Sequence, residues 1–220
     1  MKIWRLWKHQ IITLIAHINL FLFFSWEVII AGLIASVFVS LFAHYLYIHR
    51  IFTHQHFQWS KNMNKFGQFV FCMLNLGAPS VYSAIHMKHH KYSDTDKDPH
   101  PPSWRALLSL WDDEFYPDIK TLKKNKSRDY FYETYLYISF LSLVFTPFLI
   151  VGGHWHSKLV TTLVHIGGKP GNIWWAYPIM LGEEMHERHH NNWLERRHHR
   201  LDILYQIGNF FNIGKVTKVS

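Results

Sequence analysis

The sequence predicts an all-α integral membrane protein with a histidine-rich part on the cytosolic side. Three observations predict it. Two long runs near the start, 11–25 and 28–48, hold no charged residue. The basic residues lie before the first run and after the second, with only Glu27 charged in the link between them. Clusters of histidine stand just beyond apolar runs, as "HRIFTHQHF" (49–57), "HMKHH" (86–90) and "HERHH" (186–190).

A helix needs about 20 apolar residues to cross the hydrocarbon core. The run 28–48 has that length. The first run is shorter, but Trp4, Trp7 and Trp26 sit where interfacial aromatics are expected. The short link makes spans at about 10–26 and 28–48 a helical hairpin. No small-residue cleavage site follows the first run, so it reads as a retained helix, not a signal peptide. Lys2, Arg5 and Lys8 precede it; Lys88, Lys91, Lys97, Lys120, Lys123, Lys124, Lys126 and Arg128 follow the second. By the positive-inside rule both termini and the middle segment face the cytoplasm. Topology and anionic lipid thus account for the net charge of +8. With no recognisable nucleic-acid module, no nucleic-acid partner is expected.

The 220 residues suit one domain, 1–220. Residues 66–85 are uncharged but broken at Gly77–Pro79, which fits either a third span or a helix at the membrane surface. Residues 91–103 read as a loop from their Asp and Pro content. An amphipathic helix is expected over 104–115. Apolar runs return at 134–152 and 159–166, and "GGKPGN" (167–172) is a turn.

The single cysteine excludes an internal disulfide or a cysteine-based metal cluster, so a metal must be held by histidine and carboxylate. In HxxHH the three imidazoles fall within about 100° of helical arc, so His86, His89 and His90 share a face, as do His186, His189 and His190. Neutral imidazole suits iron, zinc, copper and nickel. His49 and His54 lie about 140° apart on an ideal helix. They are expected at the fraying end of the second span, one reaching back and one forward. One such box alone reads as structural or surface histidine; three together point to a metal site.

The segments "HRIFTH" (49–54), "HMKHHKYSDTDKDPH" (86–100) and "GEEMHERHHNN" (182–192) resemble the three histidine boxes of membrane fatty acid desaturases, most closely the acyl-CoA and acyl-lipid Δ9 type. The resemblance implies about four transmembrane helices and a cytosolic helical cap. It also implies a ninth ligand on the last span, at His165. The implied di-iron ligands are His49, His54, His86, His89, His90, His165, His186, His189 and His190. Where the family has Asn, four residues before the last-span histidine, this chain has Thr161. The chemistry implied is O2-dependent removal of two hydrogens from adjacent methylenes of an acyl-CoA or acyl-lipid. Such bonds offer no acidic proton, so a redox metal is needed and zinc would not serve. The implied electron donor, a ferredoxin or cytochrome b5, is expected in trans. Thr161 could hold the water that the family's Asn holds on one metal; candidates to orient the ligand rings are Asp94, Asp96, Asp98, Glu183, Glu184 and Glu187, and Asn191 is a further candidate beside the ligands. Arg50 and Lys91 are candidate acyl-headgroup contacts. His9, His17, His44, His56, His100, His154, His156, His198 and His199 are expected to be non-ligands.

For the third box to join the others, residues 130–165 must cross the membrane an even number of times. The 32 residues from Thr134 to His165 reach about 48 Å as helix. Two crossings need about 60 Å and a turn. A shortened hairpin within 130–165 is therefore expected, by bilayer thinning or by a turn near Pro147. Three other readings remain open: a related di-iron lipid hydroxylase or ketolase, a non-catalytic membrane metal-binding protein, and a degenerate desaturase.

Overall fold

The computed structural model describes residues 3–93, 95–99 and 117–214. The described residues form helices and no named strand. The amphipathic helix expected over 104–115 falls outside them, as do Asp94 and His100.

Helix α1, Ile3–Phe23, and α2, Trp26–Ser40, are joined by a break at Ser25. The α2 axis runs on without interruption as a π-helix, Leu41–Thr53. Then come α3, Lys61–Met73, and α4, Pro79–Tyr92. Residues 66–85 are therefore not one span but parts of two helices, parted at the Gly77–Pro79 break. Ser60 caps α3 by accepting from the Met63 amide, and Pro79 supplies the preset φ of a first turn to α4. Helix α5, Ile119–Lys126, is capped by Asp118, whose carboxylate accepts from the Thr121 amide at 2.7 Å.

Helices α6, Tyr135–Phe145, and α7, Pro147–Val164, are bent by 111° at Thr146–Pro147. The shortened segment thus turns at Pro147. Its first arm, 11 residues, rises only about 16 Å. Among the described residues, the one helix long and apolar enough to cross a membrane is Trp26–Thr53; α6 and α7 reach that standard only as a bent pair. The expected first span at 10–26 is helical, but from Ile3 to Phe23.

The helices are dressed outside-in. Helix α1 buries Thr13, Ala16 and Leu20 and exposes Ile18, Phe21 and Leu22. Helix α2 buries Gly32, Ser36 and Ser40 and exposes Ile30, Ile34 and Phe38. Small residues let helices approach closely where large apolar ones face a lipid-like surround. The α2–α7 seam is the tightest case. A Cβ on Gly152 would stand 1.6 Å from Ser36 Oγ, and one on Gly32 would stand 2.6 Å from the Phe148 ring. "GGHWHSK", which lacks the expected apolar residues, is a packing face, with Gly152, Gly153, His154 and His156 buried.

The main core forms around the π-helix, where Leu46, Tyr47 and Ile48 pack with Phe71, Leu74, Met180 and Leu204. After α7 come a 3-10 turn at Trp174–Ala176, α8 at Tyr177–Met180, α9 at His186–Asn191 and α10 at Ile203–Phe210. An antiparallel bridge between Asn172 and Met185, with the Ile173 amide donating to Glu184 O at 2.7 Å, folds this segment back so that α9 faces α4.

Candidate metal centre

The site is built on four elements. The π-helix carries His49, with His54 as its C-cap; α4 carries His86, His89 and His90; His165 ends α7; α9 carries His186, His189 and His190. The fraying-end expectation for the first box is corrected by the π-helix. Its i→i+5 bonding, seen as His54 N donating to His49 O at 3.1 Å, stacks residues five apart one over the other. The 140° separation of an α-helix is removed, and the two rings stand 4.8 Å apart.

All nine histidines come together, in two groups, each of which can hold a metal ion. His49, His54, His86, His90 and His189 form one; His89, His165, His186 and His190 form the other. Within each group the candidate ligand atoms lie within 4.8 Å of one another. The HxxHH boxes are divided between the groups: α4 gives His86 and His90 to the first and His89 to the second, while α9 gives His189 to the first and His186 and His190 to the second. The groups abut through the stacked rings of His90 and His190, 4.4 Å apart.

The donor set fits metal better than a hydrogen-bonded histidine cluster. The Nε2 atoms of His49 and His189 are 3.1 Å apart, those of His54 and His86 3.1 Å, and those of His86 and His90 2.9 Å. In the second group His165–His186 and His186–His190 are each 3.0 Å. With a metal–nitrogen bond of about 2.1 Å, ligands at right angles stand ~3.0 Å apart and tetrahedral ones ~3.4 Å. The observed spacings lie nearer the right-angle value. Of the other ring nitrogens, His49 Nδ1 approaches Glu183 Oε2 at 3.0 Å without hydrogen-bond geometry, and His89 Nδ1 is hydrogen-bonded to Asp98 Oδ2 at 2.8 Å. A ring protonated at Nδ1 presents a lone pair at Nε2.

Electrostatics agree. Burial first, then the neighbouring imidazoles, holds His54, His86, His186 and His189 well below the ordinary histidine value. The same causes bring His90 to about 2 and His190 to about 3. These rings are neutral and free to ligate. Burial alone would raise the Glu183 carboxyl, but His49 and Arg50 outweigh it and hold the carboxyl well below the usual range.

The other expected residues fall out as follows. Glu183 and Asp98 meet ligand rings. Thr161 is half-buried one turn before His165, and Asn191 is exposed. His56 stands outside both groups and donates from Nε2 to Trp193 O at 2.8 Å. His9, His17, His44, His154, His156, His198 and His199 also stand outside them. Arg50 is not placed for an acyl headgroup: it is fully buried. Its partners include Asp202, which sequence reasoning missed. Asp202 caps Ile203–Phe210, accepting from the Tyr205 amide, and nothing local ties it to a residue 152 positions earlier.

No protein-family model matches the chain. It is similar over most of its length to several curated desaturases. It is 27% identical over 235 residues to the Delta-9 desaturase-like 2 protein of Arabidopsis thaliana, covering 89% of this chain and 78% of that one. It is 25% identical to the sn-1 stearoyl-lipid 9-desaturase of Anabaena variabilis, over 87% of this chain and 84% of that one. It is 28% identical to the Acyl-CoA C20 Delta5-desaturase of Anemone leveillei, over 80% and 66%.

Proposed function

Because this chain is a relative of the Δ9 desaturase-like proteins, we propose that it is an O2-dependent fatty acyl desaturase, acting at the Δ9 position of an acyl-lipid or acyl-CoA. The observation that carries the reading is the division of nine imidazoles into groups of five and four at right-angle ligand spacing. His49, His54, His86, His90 and His189 would hold one iron, and His89, His165, His186 and His190 the other. Iron so held supplies the redox chemistry that the removal of hydrogen from unactivated methylenes requires, which no side chain here offers.

The chain's own residues bind, orient and exclude. Glu183 and Asp98 fix which nitrogen of His49 and of His89 is free to ligate. Burial of six imidazoles and both bracing carboxylates limits the access of bulk water to the centre: His49, His54, His86, His89, His165, His189, Glu183 and Asp98 are each no more than 7% exposed. The exposed apolar faces of α1, α2 and α6, with Phe21, Ile34, Phe38 and Phe140 outward, suit contact with membrane lipid. The proposed arrangement has both termini and the centre on the cytoplasmic side and four membrane-embedded helices, α1, α2 with its π extension, α6 and α7. Electrons come from a separate ferredoxin or cytochrome b5.

The test is a fatty acid profile by gas chromatography and mass spectrometry, from an aerobic host lacking its own desaturase, beside a His189→Ala control. A new monounsaturated acid absent from the control is expected. A hydroxy acid in its place would identify a lipid hydroxylase. No product from folded, iron-loaded protein supplied with a donor would mark a degenerate enzyme.

A further inference from the structure

Beside the five-imidazole group lies a buried ionic clamp that takes no direct part in it. Arg50 is 0% exposed, as is Asp202. Arg50 Nε donates to Glu183 Oε1 at 2.6 Å. Its Nη1 donates to both oxygens of Asp202, each at 2.9 Å. Its Nη2 donates to Gly182 O at 3.1 Å, which also accepts from His198 Nδ1 at 2.8 Å. One guanidinium thus joins the π-helix, the segment before α9 and the cap of α10. The fork geometry is what arginine offers and lysine does not.

The second oxygen of Glu183 faces His49 Nδ1 at 3.0 Å. One carboxylate is therefore gripped on one side by Arg50 and presented on the other to His49, the residue just before it in the chain. Arg50 with Glu183 and Asp202 carries one surplus negative charge in a buried place. That surplus suits a neighbouring cation and costs free energy without one. Glu183 with one oxygen left unpaired would be free to turn away from His49.

We infer that Arg50, held by Asp202, is a positioning residue for the five-imidazole group: it aims Glu183 at His49 Nδ1 and so fixes the His49 Nε2 lone pair toward the metal. The clamp serves that group alone, since the four-imidazole group has its own brace, Asp98 on His89. The inference rests on the nine imidazoles being a two-metal centre, not on what the centre catalyses.

The experiment measures metal on the purified full chain, by cobalt(II) titration against a chelator with metal content by mass spectrometry. The chains compared are wild type, Arg50→Met, Arg50→Lys, Asp202→Asn and Asp98→Asn. Wild type is expected to hold two ions. Arg50→Met and Asp202→Asn are expected to weaken one by about 10–100-fold and spare the other. Arg50→Lys should recover part of the loss, and Asp98→Asn should weaken the other ion. Two ions at wild-type affinity in Arg50→Met and Asp202→Asn would overturn the inference. So would loss of both ions together with helicity by circular dichroism, since a merely structural clamp predicts that. A wild-type chain holding no metal would overturn the metal centre and the clamp alike. Two ions without desaturation would overturn the desaturase reading and leave the clamp standing.

Discussion

Gly182 sits at φ +132°, a region that L side chains rarely adopt, and a Cβ there would stand 2.2 Å from Asp202 Oδ1. The "G" of "GEEMHERHH" is thus required by the clamp as much as by the turn. Gly182→Ala is expected to cost about 2–4 kcal/mol, from backbone strain and from the displaced carboxylate; chemical unfolding in detergent would measure it. Asp118 is a plainer case. Its carboxylate caps α5 and the bonds to Thr121 hold its pKa below the ordinary value. Asp118→Ala should cost about 1 kcal/mol at neutral pH. In the wild type the cap's contribution is present above the unfolded carboxyl pKa and fades as pH falls through the folded one. A loss in the variant as large at neutral pH as a surface substitution's few tenths of a kcal/mol would sink the assignment.

Among the elements, the π-helix and the α2–α7 seam do what ordinary helices could not. The π-helix converts the five-residue spacing of the first box into a shared face. The seam draws α7, and His165 at its end, against the helix that leads into that box. Gly152→Ala places a methyl group against Ser36 and is expected to destabilise by roughly 1–3 kcal/mol. Ser36→Gly in the same chain should return part of that, measurable as a recovered thermal midpoint. The sequence foretold the second and third boxes well, because HxxHH on a helix has one geometric meaning. It foretold the first box poorly, because nothing in "LFAHYLYIHRIFT" distinguishes π from α winding by residue preference. It also left the segment 152–158, "GGHWHSK", as a gap between the apolar runs 134–152 and 159–166. Hydropathy registers that glycine and histidine are not apolar; it does not register that a neighbouring helix needs the space.

In the whole molecule, local pattern gave eight of the histidines, the family resemblance gave the ninth, His165, and tertiary contact gave part of what steadies them. Asp98 and Glu183 lie within or beside the boxes and were candidates on that ground. Asp202 and Arg50 meet only because the chain folds across 152 positions. The cluster also sets a pH limit on the metal-free protein. Buried imidazoles held far below 6.5 take up no proton in the folded chain, whereas in the unfolded chain they protonate near that value. The unfolded state then binds more protons below about 6.5, so stability must fall as pH falls through it and level off above. Unfolding midpoints of chelator-treated protein from pH 5 to pH 8 should show that fall on the acid side only, and metal should raise the whole curve without changing its slope.

His189 stands 140 positions after His49, and Asp202 stands 152 after Arg50. During synthesis, then, His49, His54, His86 and His90 leave the ribosome well before His189, which completes their group. A growing chain carries a four-imidazole fragment of that group, and an arginine awaiting its carboxylates, until the third box and the segment after it are made. Closure of that group therefore waits for the third box, and a chain stopped between Glu183 and Asp202 would hold Arg50 by one carboxylate where the longer one holds it by two.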